Sequence, residues 1–259
     1  PIILPILEEE GVPTELFYLA MIESGLNPKA YSYAHAAGIW QFIASTGKMY
    51  GLKKNWWIDE RRDFEKSTRA AAHYLKDLYS EFGDWYLAFA AYNCGPMRVK
   101  KEMKRHQSDD YWKLTRLPSQ TRNYVPNVMA AIFISNDPQK YGFHAAVEGN
   151  LKWRVVDIDK TVNLKILSEC ANLDMGILQI YNPELKQGTL PPLKEGEVYP
   201  FRLPKQASSE FDSLLAEVEV KIIEEVVFLD HKVKRGESLW LIARKYNVRI
   251  QDIVSINKL

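Results

Sequence analysis

An apolar run that ends in a carboxylate opens the helical part of the chain: Thr14-Glu15-Leu16-Phe17-Tyr18-Leu19-Ala20-Met21-Ile22-Glu23-Ser24-Gly25. Pro13 precedes it at a favourable first-turn position, and Gly25 with Pro28 ends the helix. The run is apolar on every face, so we expect it to be largely buried. Partial removal of Glu23 from water raises the pKa of its carboxyl, which suits a general acid at neutral pH. The alternative is an ordinary helix-end glutamate that reaches water.

The rest of the chain to about residue 145 predicts further helices and contains no alternating strand pattern. Asp63 and Asp84 are predicted N-caps, and Gly83 is a predicted helix stop. The expected helices run from Gly38 to about Lys48, from Asp63 to Phe82, and over 85–92, 97–106 and 119–135. Pro126 falls inside the last of these and implies a kink or a later start.

The pattern changes after residue 150, where two short predicted strands, 153–158 and 198–203, enclose two short helical stretches. An ungapped shift of 75 positions superimposes Leu164 on Leu239 and Asn172 on Asn247, with matching apolar positions between them and beyond. The chain therefore carries a repeated two-helix module, once near 154–204 and once from residue 231. A Ser-rich and acidic connector of unresolved secondary structure lies between the two copies.

Composition excludes several classes of protein. Of the 259 residues, 46% are hydrophobic, enough for a sizeable core. The 34 Lys and Arg against 33 Asp and Glu argue against a nucleic-acid partner. Two cysteines exclude a disulfide framework and a cysteine-based zinc site. No apolar run reaches the roughly 18 residues that a membrane span needs.

Three segments occur in a recognisable order: Glu23-Ser24, Gly38-Ile39-Trp40-Gln41-Phe42 and Ala91-Tyr92-Asn93-Cys94-Gly95. Together they resemble the lytic murein transglycosylases with a goose-lysozyme-like domain. The stretches 51–63 and 82–88 are similar to the membrane-bound D subgroup of that family. The resemblance covers residues 10 to about 140, and it implies an all-α lysozyme-like catalytic domain.

Residues 233–243 and Asn257 look like the start of a LysM module, a strand–helix–helix–strand unit that binds N-acetylglucosamine chains. The earlier copy lacks the Gly-Glu-Ser-Leu-Trp start and resembles a degenerate relative, for which sugar binding and a spacer role remain open. The expected class is α+β multidomain: a catalytic domain at 1–145, a degenerate LysM-like βααβ module at 150–205, a connector at 206–230, and a LysM module at 231–259 that stops before its last strand.

Most glycosidases use two carboxyl groups, but the three motifs contain one. The family's reaction needs only one, because the muramic C6 hydroxyl is the nucleophile and closes a 1,6-anhydro ring. By resemblance Glu23 is the acid and then the base, and neither a metal nor a cofactor is implied. The substrate's own 2-acetamido group can help to stabilise the oxocarbenium-like state.

The resemblance also implies a substrate-binding set. Gln41 and Tyr92 should line the cleft and hydrogen-bond sugar, and Tyr124 matches a late segment near it. Ser24 orients substrate or backbone, or caps the helix, and Asn93 ties its turn together. Trp40 either stacks on a sugar ring or belongs to the core. Two positions depart from the family: Gln120 replaces the usual Glu, and Cys94, expected as a buried inert thiol, replaces the common Ala.

Two alternatives remain. A wall-binding scaffold that has lost activity is supported by Gln120 alone. A goose-type hydrolase would need a water-activating carboxylate, for which Asp59, Glu60 and Asp63 are candidates, although surface ion pairs are the expected role of that charged segment.

The expected partners are peptidoglycan glycan strands and, through LysM, chains that contain N-acetylglucosamine. The expected location is the bacterial periplasm at the outer membrane. Because the chain begins at Pro1 without a signal peptide, we expect a processed fragment, with a lipid anchor upstream as one option.

Overall fold

The computed structural model describes residues 2–144, 151–218, 230–257 and 259. The chain divides into two compact units, Pro1–Ile223 and Glu224–Leu259. The first contains a helical part and a small part with a two-stranded sheet, and the described residues of the second include two helices. The predicted α+β multidomain class is therefore confirmed. Within the described residues, no helix is both long and apolar enough to cross a membrane.

The helical part contains these elements: α1 (Ile3–Glu9), a 3-10 turn (Thr14–Leu16), α2 (Phe17–Ser24), α3 (Ala44–Met49), α4 (Phe64–Phe82), α5 (Trp85–Cys94), α6 (Pro96–His106), a 3-10 turn (Tyr111–Lys113), α7 (Ser119–Asn136) and a 3-10 turn (Gln139–Tyr141). The middle of α5, from Leu87 to Ala91, is buried almost completely. This helix packs against α4, α6 and α7 and forms the centre of the core.

Local capping chemistry sets the ends of these helices. The Asp63 carboxylate accepts hydrogen bonds from the backbone N–H groups of Glu65 and Lys66, and that of Asp84 accepts one from Leu87. Gly25 and Gly83 end α2 and α4 in the left-handed region, at φ 59° and 69°. The predicted boundaries of α4 and α6 are confirmed to within one residue, and α5 extends two residues beyond its predicted end. The predicted run from Thr14 begins as a 3-10 turn, and α2 itself starts three residues later, at Phe17. Helix α7 runs through Pro126 rather than starting after it.

The predicted helix from Gly38 is wrong. Residues 31–42 form a looped segment held by isolated antiparallel bridges from Ala37 to Tyr31 and to Phe42, and helix α3 starts only at Ala44. Gly38 has φ +83°, and a Cβ there would lie 1.7 Å from the backbone oxygen of Arg61. A close approach of two backbones therefore replaces helical hydrogen bonding in this segment.

The expectation that the α2 run is largely buried holds for its beginning and middle but not for its C-terminal end. Leu19 and Ala20 are fully buried, whereas Met21 is 42% and Ile22 37% exposed. The helix packs against α7 and α1 on one side. Its other side, toward the C-terminal end, faces solvent beside Glu23.

The small part of the first unit consists of β1 (Trp153–Ile158), α8 (Leu164–Ala171), α9 (Met175–Tyr181), β2 (Tyr199–Pro204) and α10 (Phe211–Glu217). The strands pair antiparallel from Trp153 opposite Pro204 to Ile158 opposite Tyr199. The predicted strands are confirmed, the second one residue later than expected. Helix α10 lies in the connector, whose mixed sequence pattern predicts no particular secondary structure, and the connector's residues 219–229 lie outside the described residues.

The second unit contains α11 (Leu239–Tyr246) and α12 (Ile250–Asn257). Both helices begin 75 residues after α8 and α9, which start at Leu164 and Met175. Asn172 and Asn247 end the first helix of each pair in the left-handed region, at φ 50° and 51°. The repeat predicted from the sequence is thus confirmed.

Candidate active site

Glu23 lies in the last turn of α2, at the point where this helix meets α7. The Tyr124 hydroxyl of α7 donates a hydrogen bond to Glu23 Oε1 at 2.6 Å. Burial raises the pKa of the Glu23 carboxyl, and the Tyr124 hydrogen bond opposes that shift. A carboxyl in this environment keeps its proton to higher pH than an exposed glutamate, as a general acid requires.

Tyr92 brings α5 into the same site. Its hydroxyl donates to the backbone oxygen of Trp40 at 2.7 Å. Burial and the nearby Glu23 charge raise the pKa of Tyr92 well above its ordinary value, and the same two causes act on Tyr124. Both phenols therefore remain neutral hydrogen-bond donors. The structure brings together Glu23, Tyr92 and Tyr124 from three helices.

Ser24 acts on the backbone in this structure. Its Oγ lies 3.1 Å from the carbonyl oxygen of Ala20 and 2.9 Å from that of Ile39. The contact with Ile39 ties the end of α2 to the 31–42 loop. The C-cap of α2 is Gly25 rather than Ser24.

Trp40 and Gln41 are neighbours with different environments. The Trp40 side chain is fully buried, and its Nε1 donates to Thr68 Oγ1 at 2.9 Å, so the sugar-stacking alternative is wrong and Trp40 is a core residue. Gln41 is partly buried at φ 47°, and its Nε2 donates to the backbone oxygen of Gly38 at 2.9 Å. That bond stabilises the loop and leaves the Gln41 Oε1 atom as an acceptor.

Asn93 lies near the end of α5, and Gln120 lies in the first turn of α7. Asn93 Oδ1 accepts a hydrogen bond from Thr121 Oγ1 at 2.8 Å, which joins the two helices three residues before Tyr124. Gln120 is exposed in the first turn of α7, one helical turn before Tyr124.

Cys94 is half-buried rather than buried, and burial raises the pKa of its thiol. Both cysteines are free.

The three carboxylates considered for a hydrolase are not surface groups, contrary to expectation. Asp59, Glu60 and Asp63 are 3%, 4% and 2% exposed. Asp59 pairs with Arg61, Glu60 with Lys66, and Asp63 with Arg202, so each has a structural partner. Over the described ranges, no group of three or more His, Cys, Asp or Glu side chains could hold a metal ion.

Arg61 is the residue near this site that the sequence did not indicate. Its side chain is 1% exposed, and its Nη1 donates to the backbone oxygens of His35 and Phe42, both at 2.8 Å. Its position in a run of charged residues, Asp59-Glu60-Arg61-Arg62-Asp63, predicted a solvated segment. No local pattern distinguishes a buried arginine there.

Comparisons with known proteins identify the family of this chain. Three family models match the chain: "Transglycosylase SLT domain" over residues 3–115, "Lytic transglycosylase MltD, LysM-like domain" over 152–220, and "LysM domain" over 231–259. The chain belongs to the SLT-domain lytic transglycosylases. A curated member of this family, the membrane-bound lytic murein transglycosylase D of Escherichia coli, is 33% identical over 98% of this chain. The chain spans 58% of that relative's length.

Three further proteins match smaller parts of this chain. A putative tributyltin chloride resistance protein from Alteromonas is 42% identical over 36% of this chain and 45% of its own. An inactive mutant of the lytic transglycosylase Slt from Pseudomonas aeruginosa has a TM-score of 0.45 and 26% identity, covering 54% of this chain and 24% of that one. The 70-kDa soluble lytic transglycosylase of Escherichia coli has a TM-score of 0.42 at the same identity, covering 49% and 23%.

Proposed function

We propose that this chain cleaves the β-1,4 bond between N-acetylmuramic acid and N-acetylglucosamine in peptidoglycan and leaves 1,6-anhydro-muramic ends. The observation that carries the proposal is one partly buried carboxyl, Glu23, whose pKa is raised by burial and which accepts a hydrogen bond from Tyr124. Its position in an SLT-domain match supports the same reaction class.

The reaction needs one carboxyl group in two protonation states. Protonated Glu23 donates its proton to the glycosidic oxygen while the bond from that oxygen to muramic C1 breaks. The resulting carboxylate then takes the proton of the muramic C6 hydroxyl as its oxygen bonds to C1. Glu23 returns to its acid form, and no water is consumed. The internal hydroxyl outruns water because it is held close to C1.

The neighbouring side chains fit supporting roles in this reaction. Tyr124 stabilises the carboxylate that forms after the first proton transfer, because its hydroxyl already donates to Glu23. The partly buried Gln41 side chain lies in the segment that supplies the Trp40 carbonyl to Tyr92. We assign Gln41, Tyr92 and Tyr124 to the substrate cleft, with Gln120 one turn further along α7. Ser24 and Asn93 position backbone and helices.

The remaining domains fit a protein of the cell wall. We propose a catalytic domain at 1–145, a LysM-like module at 150–205, a connector at 206–230 and a LysM module at 231–259. The last module is proposed to bind chains of N-acetylglucosamine. One relative is described as membrane-bound, which supports a periplasmic site at the outer membrane for this chain as well.

Digestion of purified peptidoglycan tests the proposal. The unaltered chain, Glu23→Gln and the control Glu15→Gln, an exposed glutamate just before α2, are compared, and the new ends are identified by mass spectrometry. We expect anhydro-muramic ends from the chain and from Glu15→Gln and none from Glu23→Gln. Reducing ends would indicate a hydrolase. Binding without cleavage by the unaltered chain would indicate a scaffold.

A further inference from the structure

The first LysM-like module, described over residues 151–205, is joined to the catalytic domain by backbone pairing. The Asp59 N–H donates to the backbone oxygen of Glu184 at 2.8 Å, and the Lys186 N–H donates to that of Trp57 at the same distance. Ile58 lies opposite Leu185 in an antiparallel bridge, and both side chains are buried in the core of the module. Residues 57–59 therefore pair with the chain that leads from α9 to β2.

Charged groups strengthen this junction. Arg202 of β2 is 5% exposed and donates to Asp63 Oδ2 at 2.7 Å, to Glu65 Oε2 at 2.8 Å and to Glu184 Oε1 at 3.2 Å. Its guanidinium lies 4.7 Å from the centre of the Phe64 ring. Asp63 meanwhile caps α4 through its other oxygen, Oδ1. One arginine of the module thus contacts the start of a catalytic-domain helix.

The segment held by the module continues into the active site through a buried ion pair. The Asp59 carboxylate accepts two hydrogen bonds from the Arg61 side chain, from Nε at 2.9 Å and from Nη2 at 2.7 Å. The third guanidinium nitrogen, Nη1, donates to the backbone oxygens of His35 and Phe42. Those two carbonyls bracket the loop that carries Trp40 and Gln41. A planar guanidinium can make all these bonds at once, whereas an ammonium group cannot.

The loop in turn fixes a catalytic neighbour. The Trp40 carbonyl holds the Tyr92 hydroxyl, and the Ile39 carbonyl accepts from Ser24, the residue after Glu23. The loop also packs tightly on Arg61, because a Cβ at Gly38 would overlap the Arg61 carbonyl oxygen. A displacement of Arg61 would therefore displace the Trp40 carbonyl and release Tyr92.

We propose that Arg61 is a positioning residue for the active site and that the first LysM-like module supports the segment that holds Arg61. The catalytic part of this inference rests on the proposed function of Glu23, whereas the structural part does not. The module is then a fixed component of the catalytic unit. Its contribution to the reaction is to hold the 35–42 loop in one position.

Arg61→Lys tests the first step. Lysine keeps the charge beside Asp59, so the ion pair persists, but it cannot also bond to His35 and Phe42. Hydrogen exchange of the Ala37 and Gly38 amides reports on the loop, because both donate to backbone oxygens within the 30–42 segment. We expect faster exchange at these amides, unchanged exchange in the middle of α4, and a fall in kcat of about ten- to a hundredfold. Arg69→Lys, an exposed arginine paired with Glu9 and Glu10, is the matched control.

The pH profile separates positioning from a general loss of folded protein. Once released from the Trp40 carbonyl, the Tyr92 hydroxyl can donate to the Glu23 carboxylate and stabilise its charged form. We therefore expect the basic limb of kcat in Arg61→Lys to move to lower pH. A uniform fall in kcat at all pH values, or unchanged exchange at Ala37 and Gly38, would overturn the role of Arg61.

Arg202→Lys in the full chain tests the support by the module. The positive charge stays among Asp63, Glu65 and Glu184, but lysine cannot bond to all three. We expect faster exchange at Ala37 and Gly38, in the same direction as for Arg61→Lys and smaller. Unchanged exchange there would overturn the role of the module. Because exchange is measured without substrate, this result stands apart from whether the unaltered chain cleaves peptidoglycan.

Discussion

The two copies of the repeated helix pair have matching helix ends but differ in the burial of their side chains. Both first helices end at a left-handed asparagine, Asn172 or Asn247. In the first copy, Leu164, Leu167 and Leu178 are fully buried in a core that also contains Ile58 of the catalytic domain. In the second copy, Trp240 is 54% exposed and Leu241 is 45% exposed.

The two copies make different contacts. In the first copy, the chain between α9 and β2 pairs with residues 57–59, and Arg202 of β2 pairs with Asp63. Those contacts join the module to the catalytic domain. The second copy carries an exposed tryptophan where the first has Lys165, and an exposed aromatic surface is suited to stacking on a sugar ring.

Removal of the central arginine of the junction should have the largest effect on stability. Arg202→Met leaves the buried Asp63 and Glu184 without their cation, at a cost of about 3–5 kcal/mol. Arg244→Met in the second copy removes an exposed guanidinium that lies over Trp240, and should cost no more than about 1 kcal/mol. Urea unfolding of both full-length variants measures the two costs. Equal losses in the free energy of unfolding would mean that Arg202 stabilises the first copy no more than Arg244 stabilises the second.

Glu184 should make the first unit sensitive to pH. Burial, followed by the charge of Asp63, raises the pKa of Glu184 to about 7, while Arg202 and Tyr199 oppose the rise. Between about pH 4.5 and 7, Glu184 keeps its proton in the folded state but has released it in the unfolded state. The free energy of unfolding therefore falls as the pH rises from about 4.5 through 7. The loss is at most about 3 kcal/mol.

Glu184→Gln tests this dependence, since the amide cannot ionise. Melting of the variant should depend less on pH between 5 and 8 than melting of the parent chain, and the variant should be the more stable of the two at pH 8. In the second copy the aligned residue is Leu259, so the repeat offers no counterpart of this titration. A parent chain that gains stability over this range would refute the assignment.

Tyr124→Phe should act on the reaction rather than on either module. Loss of a hydrogen bond to a charged group, worth about 1.5–3 kcal/mol, should lower kcat about ten- to a hundredfold. The same bond lowers the pKa of Glu23, so its loss should move the basic limb of the pH profile to higher pH. Steady-state kinetics on soluble glycan fragments measure both effects. Tyr141→Phe, at an exposed tyrosine, is the control, and a basic limb that moves to lower pH would argue against the contact.

The prediction with the smallest expected effect concerns which of the two copies binds glycan. Trp240→Ala should weaken binding of the full chain to insoluble peptidoglycan about tenfold, the equivalent of one lost aromatic contact. Lys165→Ala, at the aligned position of the first copy, should leave binding within about twofold of the parent value. Sedimentation with purified cell wall measures both. The reverse order of effects would assign glycan binding to the first copy.

The sequence predicted those features that depend on local chemistry. Aspartates at 63 and 84 and glycines at 25 and 83 marked helix ends because caps act within one turn. The repeat was visible because apolar spacing follows the helices of both copies. Glu23 and Tyr124 were assigned from family motifs, and their contact spans 101 residues, which no local pattern encodes.

The failures have a common physical cause, which is packing between distant segments. The stretch from Gly38 was predicted to be helical, but Gly38 lies against the Arg61 backbone and Arg61 bonds to both ends of the loop. Asp59, Glu60 and Asp63 look solvated in the sequence. Two of them are covered through contacts with Glu184 and Arg202, more than a hundred residues further along the chain.

Digestion of peptidoglycan in water enriched in heavy oxygen tests the central claim most directly, because the proposed lyase consumes no water. Mass spectrometry of the new muramic ends should show anhydro rings without label from the unaltered chain, and no new ends from Glu23→Gln. Muramic ends that carry the heavy oxygen would contradict the account, since they require attack by water at C1 in place of the C6 hydroxyl.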